Sequence, residues 1–299
     1  MYPEYPYYAY QEVCKRIPLS FPPQHQDIQP GLEYLMNPSP IFDNPDYKAA
    51  GKLKGKTAII TGGDSGIGRA AAIAFAKEGA NVSIVYLYEK RDAMETKHWV
   101  EQYGGKCHLL MGDLRLPETA KKAVHETLEA FGGVDVLLNN CGVQFPQDSI
   151  LDISDNQLFN TYATNIFSFF YMTKAALPHM KKGGSIINTA SITAYQGKKN
   201  LIDYSSTKGA IVSFTRSLSL SLEDAGIRVN AVAPGPVWTP LQPSSYDART
   251  ITTFGTDTPM KRAGQPFELA PTYVYLACDD SRFVSGQVLH VNGGVIVGS

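Results

Sequence analysis

From Lys56 onward, short apolar runs alternate with helical segments, and this alternation restricts the architecture more than any other feature of the 299-residue chain. "TAIIT" ends at a glycine-rich turn, "GRAAAIAFAKEGA" reads as a helix closed by Gly79, and "NVSIVY" is the next strand. A polar helix through "AMETKHWVEQY", a third strand "KCHLLMGDL" and a third helix "ETAKKAVHETLEAFGG" follow. "VDVLLNNCG", "SIINTAS" and "IRVNAVAPG" continue the strands, and a Tyr/Ala-rich helix around 269–277 precedes a last strand, "GQVLHVNGG". Strands that are apolar throughout are covered on both faces, and strands joined by helices run parallel. The expectation is an α/β domain over 51–299, doubly wound, with a seven-stranded parallel sheet and helices on both faces. No internal repeat is visible.

Residues 1–50 follow no helical or strand period and are dense in Pro and Tyr, so they cannot build a core alone. They are expected to form an extended N-terminal arm. Its first dozen residues are expected to be disordered and its later part, with "PGLEYLM", to dock on the domain.

Charge and cysteine usage exclude several classes. The net charge is −1, from 27 basic and 28 acidic residues, which leaves no broad basic field for nucleic acid or an anionic membrane. Cys14, Cys107, Cys141 and Cys278 form no CxxC pair, no apolar run reaches bilayer length, and no signal peptide is expected. A cytoplasmic protein with reduced thiols is expected. The six histidines stand apart, so no metal site is expected.

In a doubly wound sheet, ligands bind beyond the carboxyl ends of the strands. "TGGDSGIGRA" lies there, with Gly62, Gly66 and Gly68 permitting a tight turn and close approach of a pyrophosphate to a helix N-terminus. The spacing is GxxxGxG, not GxGxxG. In "LIDYSSTKGA", Tyr204 stands four residues before Lys208, which puts both on one helix face. An ammonium beside a phenol lowers its pKa, and such a phenol can exchange a proton with an alcohol or carbonyl. Taken alone, the pair is better read as a buried tyrosine beside a solvated lysine, and only other parts of the chain decide otherwise.

TGxxxGIG, "GDL" at Gly112–Leu114, "NNCG" at Asn139–Gly142, Ser191 and "YSSTK" stand in the order and approximate spacing of the short-chain dehydrogenase/reductase family. "RVNAVAPGPVWTP" and "GQVLHVNGG" also resemble its compact, single-domain branch, over roughly Leu53 to the C-terminus. The arm and "GGDSGIG" further resemble a subgroup with bacterial general-stress dehydrogenases. The resemblance implies a Rossmann-like fold, an NAD(P)-dependent oxidoreductase acting on CH–OH groups, and a homotetramer with the last strand near a subunit contact.

It also implies roles. Tyr204 is the acid/base, Lys208 lowers its pKa and holds the nicotinamide ribose, Ser191 binds the substrate oxygen, and Asn165 supports a proton-relay water. The cofactor is expected along Gly62, Asp64, Ser65, Gly66, Ile67 and Gly68, then Tyr86, Glu89, Asp113, Leu114, Asn140 and Gly142. Its nicotinamide end is expected at Pro234, Gly235, Val237 and Thr239 beside Tyr204 and Lys208. Cys141 departs from the family's NNAG and reads as packing.

The cofactor evidence is mixed. Tyr86 stands where NAD-binding relatives carry aspartate, Glu89 follows it, and Lys90 and Arg91 are able to attract a 2′-phosphate. Asp64 would repel that phosphate, and Ser65 fills a position often basic in NADP-binding relatives. The balance leans to NAD. Ser191, Gln144, Gln196 and Trp238 are expected to line the substrate end, with Phe145 and Tyr195 nearby. The segment 241–265 reads as a mobile lid or as a surface excursion with a short helix. The expected substrate is an uncharged carbonyl or alcohol: aldehyde, ketone, sugar or polyol. The alternative is a non-catalytic dinucleotide-binding stress or sensor protein. No nucleic-acid or membrane partner is expected.

Overall fold

The computed structural model describes residues 10–12 and 16–295. In chain order the elements are β1 (Tyr10–Glu12), β2 (Arg16–Pro18), β3 (Thr57–Thr61), α1 (Gly66–Lys77), β4 (Asn81–Tyr86), α2 (Lys90–Gln102), β5 (Cys107–Met111) and α3 (Pro117–Phe131). They continue as β6 (Val134–Asn139), α4 (Asp155–Tyr162), α5 (Ser168–Ala176), β7 (Met180–Thr189), α6 (Thr193–Gln196), α7 (Ile202–Ser221), β8 (Arg228–Pro234), α8 (Ala248–Ile251), α9 (Pro266–Ala277) and β9 (Val288–Val291). The expected disorder of the first dozen residues falls mostly outside the described residues.

The main sheet has seven parallel strands in the order β5-β4-β3-β6-β7-β8-β9. Neighbouring strand residues face opposite helical layers, as a period of two requires. Ile60 packs with Ala71, Phe75 and Val82 and with Tyr273 and Val274 of α9, whereas Ile59 packs with Val124 of α3 and Met172 of α5. The alanines of α1 let that helix lie close to the sheet. Strand order reverses between β3 and β6, so a crevice opens beyond their carboxyl ends, where the glycine loop and "NNCG" emerge.

Three features lay outside the sequence pattern. Helices α4 and α5, joined by a π-turn at Ala163–Phe167, carry no clean amphipathic signal because aromatic residues occur on both their buried and exposed sides. Strand β7 begins at Met180, five residues before the apolar run that marks it. Segment 241–265 carries the short helix α8, and its Ile251 and Ala263 are fully buried. These pack with Phe21, Met36 and Trp238 in a small separate core, so this stretch is a packed unit.

Residues 16–50 run along the domain. Phe21 stacks on Trp238 with centroids 3.7 Å apart. Glu33 and Tyr34 donate their backbone N–H groups to Asp92 of α2 at 2.8 and 3.1 Å. Further on, Asp43 pairs with Lys77 at 2.5 Å, and the Tyr47 hydroxyl donates to Glu78. No helix among the described residues is long and apolar enough to cross a membrane.

Candidate active site

A cavity of ≈ 280 Å³ occupies the crevice. One end is walled by Asp64, Tyr86, Glu89, Asp113 and Leu114, the middle by Gly62, Ser65, Gly66, Ile67, Asn140 and Gly142. The other end is walled by Ser191, Tyr204, Lys208, Pro234, Gly235, Val237 and Thr239. These residues lie at the ends of six strands, β3 to β8, and on two helices, α1 and α7, and the parallel sheet brings those ends together.

The glycine loop follows from backbone sterics. Gly62 and Gly66 have φ of +63° and +51°, the left-handed region that side chains disfavour. Gly68 does not line the cavity. A Cβ there would lie 2.0 Å from the Gly62 carbonyl oxygen, so its missing side chain lets the first turn of α1 close against the loop. The loop is joined to "NNCG": Thr61 Oγ1 accepts from the backbone of Asn140 and Cys141 at 2.8 and 3.1 Å. Asn140 Nδ2 donates to the carbonyls of Thr61 and Gly62. A bare-backbone cradle at a helix N-terminus, with carboxyls at one end and hydroxyls and a lysine at the other, fits an extended dinucleotide.

At the chemical end Tyr204, Lys208 and Ser191 are 8, 3 and 7 % exposed. Lys208 Nζ donates to the Thr189 carbonyl at 2.8 Å and lies 5.4 Å from the Tyr204 ring centre. Burial pushes the lysine down to about 8. Burial pushes the Tyr204 phenol above its ordinary value, with a hydrogen bond to Ser191 pulling the other way. Desolvation of this enclosed hydroxyl acts against the depression expected from Lys208. Asn165 sits in the π-turn and is fully buried. Its amide donates to the Val143 carbonyl and to Thr207, and its Oδ1 accepts from Val143 N–H at 2.8 Å. Its side-chain donor protons are thus committed to the loop after β6 and to Thr207 of α7.

The substrate-end expectations divide. Ser191 lines the cavity; Gln144, Gln196 and Trp238 do not. Trp238 is 0 % exposed against Phe21 and donates Nε1–H to the Pro38 carbonyl at 2.9 Å, because the arm offers it a better-buried site than the cavity. Gln196 is solvent-exposed at the end of α6. Gln144 is buried and reaches Gln242, which does line the cavity. Sequence reasoning missed Gln29, Pro30 and Gly31 of the arm, together with Arg115, Asn160 and Gln242. No local motif marks them; Arg115 alone was signalled, by its neighbour Asp113, which it grips with its guanidinium while reaching Asn160.

At the adenosine end, Asp64 and Glu89 are 4 and 3 % exposed. Glu89 turns its carboxylate back onto the N–H groups of Leu87 and Tyr88. Burial raises both acids, and Asp64 is raised further by Glu89. Arg91 stacks 4.2 Å over Tyr34 of the arm, and neither it nor Lys90 lines the cavity.

The Enoyl-(Acyl carrier protein) reductase family profile matches residues 62–296. The chain is 62 % identical to the Uncharacterized oxidoreductase YhxC of Bacillus subtilis (strain 168) over 93 % of this chain and 97 % of that protein. It is 51 % identical to a Glucose and ribitol dehydrogenase of Daucus carota over 93 % and 97 %. It is 50 % identical to the chloroplastic NADPH-dependent aldehyde reductase 1 of Arabidopsis thaliana over 92 % and 98 %. Among solved structures, a short chain dehydrogenase from Burkholderia cenocepacia J2315 in complex with NADP superposes with a TM-score of 0.75 at 29 % identity, over 81 % of this chain and 98 % of that one. The lean toward NAD finds no support in these relatives, two of which carry NADP or NADPH in their descriptions. Burial beside Glu89 raises Asp64, which weakens the charge repulsion on which that lean rested. The profile match, the identities and the superposition on a glycine-cradled crevice agree: the chain is an oxidoreductase that belongs to the short-chain dehydrogenase/reductase family.

Proposed function

We propose that the chain interconverts a carbonyl and an alcohol on a small uncharged substrate, with Tyr204 as the acid/base. The observation that carries this reading is the convergence of Ser191, Tyr204 and Lys208 on one end of the cavity whose middle is the glycine cradle. When bound, the nicotinamide cofactor supplies a hydride in reduction and accepts one in oxidation. Ser191 holds the substrate oxygen beside the phenol. Tyr204 gives its proton to that oxygen as charge develops there, and takes it back in the reverse direction. A phenol raised by burial rests protonated, ready to donate in carbonyl reduction. Lys208 supplies positive charge to the ribose end and to the phenol when it is protonated.

The relatives named for glucose and ribitol and for aldehydes support a substrate among aldehydes, ketones, sugars and polyols. Initial rates over a panel of these, with both cofactors, test the reading; no turnover of any member would overturn it. A second expectation follows from Lys208, whose buried ammonium is pushed down to about 8. Because kcat/KM reports groups of the free enzyme, reductive kcat/KM should be level at and below neutrality. It should fall by up to about tenfold per unit as pH rises past that value and the ammonium discharges. A profile that climbs over pH 8–10 would contradict the assigned role.

Cofactor choice is read at Asp64. Replacing it by serine removes a carboxyl that is repulsive to a 2′-phosphate whenever it is ionised. Asp64→Ser should therefore raise the NADP/NAD ratio of kcat/KM by about tenfold, the equivalent of roughly one ionic contact. The increase should be larger at pH 8 than at pH 6, since acid discharges the wild-type carboxyl. An unchanged ratio at both pH values would place selectivity elsewhere.

A further inference from the structure

The loop after β6 is held by two side-chain carboxamides from unrelated parts of the chain. Asn165 takes the N–H and C=O of Val143 at 2.8 and 2.9 Å. Gln29 of the arm takes those of the next residue: its Oε1 accepts from Gln144 N–H at 2.6 Å and its Nε2 donates to the Gln144 carbonyl at 2.8 Å. The same Nε2 lies 3.2 Å from both the Ser244 carbonyl and Ser245 Oγ, so Gln29 bridges the β6 loop to the loop that follows Thr239. Gln29 itself lines the cavity.

Three carbonyls of that second loop rest on the arm. Pro243 O accepts from Gln26 N–H at 2.8 Å, Ser244 O from Gln29, and Tyr246 O from His25 Nδ1 at 2.8 Å. The backbones also touch: a Cβ on Gly31 would lie 2.5 Å from the Pro240 carbonyl oxygen. Gln29 is held in turn from its other side, because Glu33 and Tyr34 are fixed to Asp92. The second loop also reaches Gln144 directly, through Ser245 Oγ at 3.2 Å and through Gln242, and the arm adds its ties to these; a loop held by fewer bonds opens more readily.

We propose that Gln29 is a positioning residue that sets the width of the substrate mouth, by fastening the Ser244–Ser245 loop to Gln144. The assignment rests on the carbonyl/alcohol reading of the site. It places a specificity determinant 215 residues away in sequence from the loop it positions. Gln242 and Leu241, on the fastened loop, line the cavity and move with it.

The test is Gln29→Ala and the isosteric Gln29→Glu. The glutamate keeps the bond from Gln144 N–H but turns an acceptor toward two carbonyl oxygens. Both variants should raise substrate KM by about tenfold with kcat changed less than about threefold, as expected for loss of positioning without loss of the reacting groups. Both should also turn over bulkier carbonyl substrates better relative to small ones. Amide hydrogen exchange at 241–246 should accelerate in both full-length variants while the sheet strands stay protected, a readout that does not depend on turnover. If wild type reduces no carbonyl, the reading of the site fails, and the exchange data decide the clasp alone. Exchange equal to wild type in both variants overturns the proposal. So does a fall in kcat with unchanged KM, or acceleration spread evenly over the sheet, which would make Gln29 a general stability residue.

Discussion

Tyr204→Phe is expected to lower kcat by about 10²–10⁴, the usual contribution of a positioned proton donor, while leaving cofactor affinity within about twofold. The substitution removes one oxygen from the inner wall of the cavity and keeps the ring, whose packing beside Lys208 is unchanged in shape. Lys208 keeps its bond to the Thr189 carbonyl, so the ribose end of the site stays formed. Turnover and cofactor affinity should thus separate in this variant. Single-turnover rates with a substrate from the panel, together with cofactor titration by fluorescence, measure both. Turnover near that of wild type would remove Tyr204 from the chemistry; a parallel loss of cofactor binding would make it a structural residue of the cradle.

Arg69→Met is expected to cost about 3–5 kcal/mol of stability, the typical result of leaving buried charges without their partner. The Arg69 side chain is 1 % exposed and joins the arm, the glycine loop and α2 at one point. Its Nη1 lies 2.6 Å from Glu33 Oε1, its Nη2 donates to the Asp92 carbonyl at 3.0 Å, and its Nε donates to the Asp64 carbonyl at 3.0 Å. Glu33 uses its other oxygen to accept from Gly66 N–H at 2.6 Å, at the first turn of α1. Burial raises Glu33 from 4.5 to about 7 and also raises Asp92, and in both Arg69 is the largest opposing influence.

The sign of the pH dependence follows from those shifts. A carboxyl whose folded pKa is raised adds stability below its unfolded value and loses that contribution as pH climbs through the folded one. Without Arg69, both acids are raised further. The deficit relative to wild type should be greatest above about pH 7 and should shrink as the acids protonate below it. Adding Glu33→Gln should restore part of the loss at pH 8, since an amide still accepts from Gly66 without a charge to compensate. Urea unfolding of the three proteins at pH 6 and pH 8 reads these differences. A deficit that does not vary with pH would assign the loss to packing, including the contact of the guanidinium 5.0 Å over Phe42.

What the sequence determined by itself was everything encoded within a few residues. The alternation of apolar strands and helices forces a parallel sheet, because each strand must be covered twice and each crossover needs a helix. The glycines at 62, 66 and 68 announce a backbone cradle, since the first two need the left-handed region and the third has no room for a Cβ. The four-residue step from Tyr204 to Lys208 puts them on one helix face wherever that helix lies. Only the tertiary structure decided the rest. Trp238 follows β8 into the site by chain order, yet its ring turns to Phe21, more than 200 residues away in sequence, where the arm encloses it fully. Arg91, available in the sequence to hold a 2′-phosphate, is drawn over Tyr34 instead. The electrostatics of Tyr204, Lys208 and Asp64 depend on how much water the folded walls exclude, a quantity no local spacing carries. The arm lacks any period of its own because its partners are supplied one residue at a time, Gln29 by Gln144, Glu33 by Gly66 and Tyr47 by Glu78, from elements that only folding brings beside it.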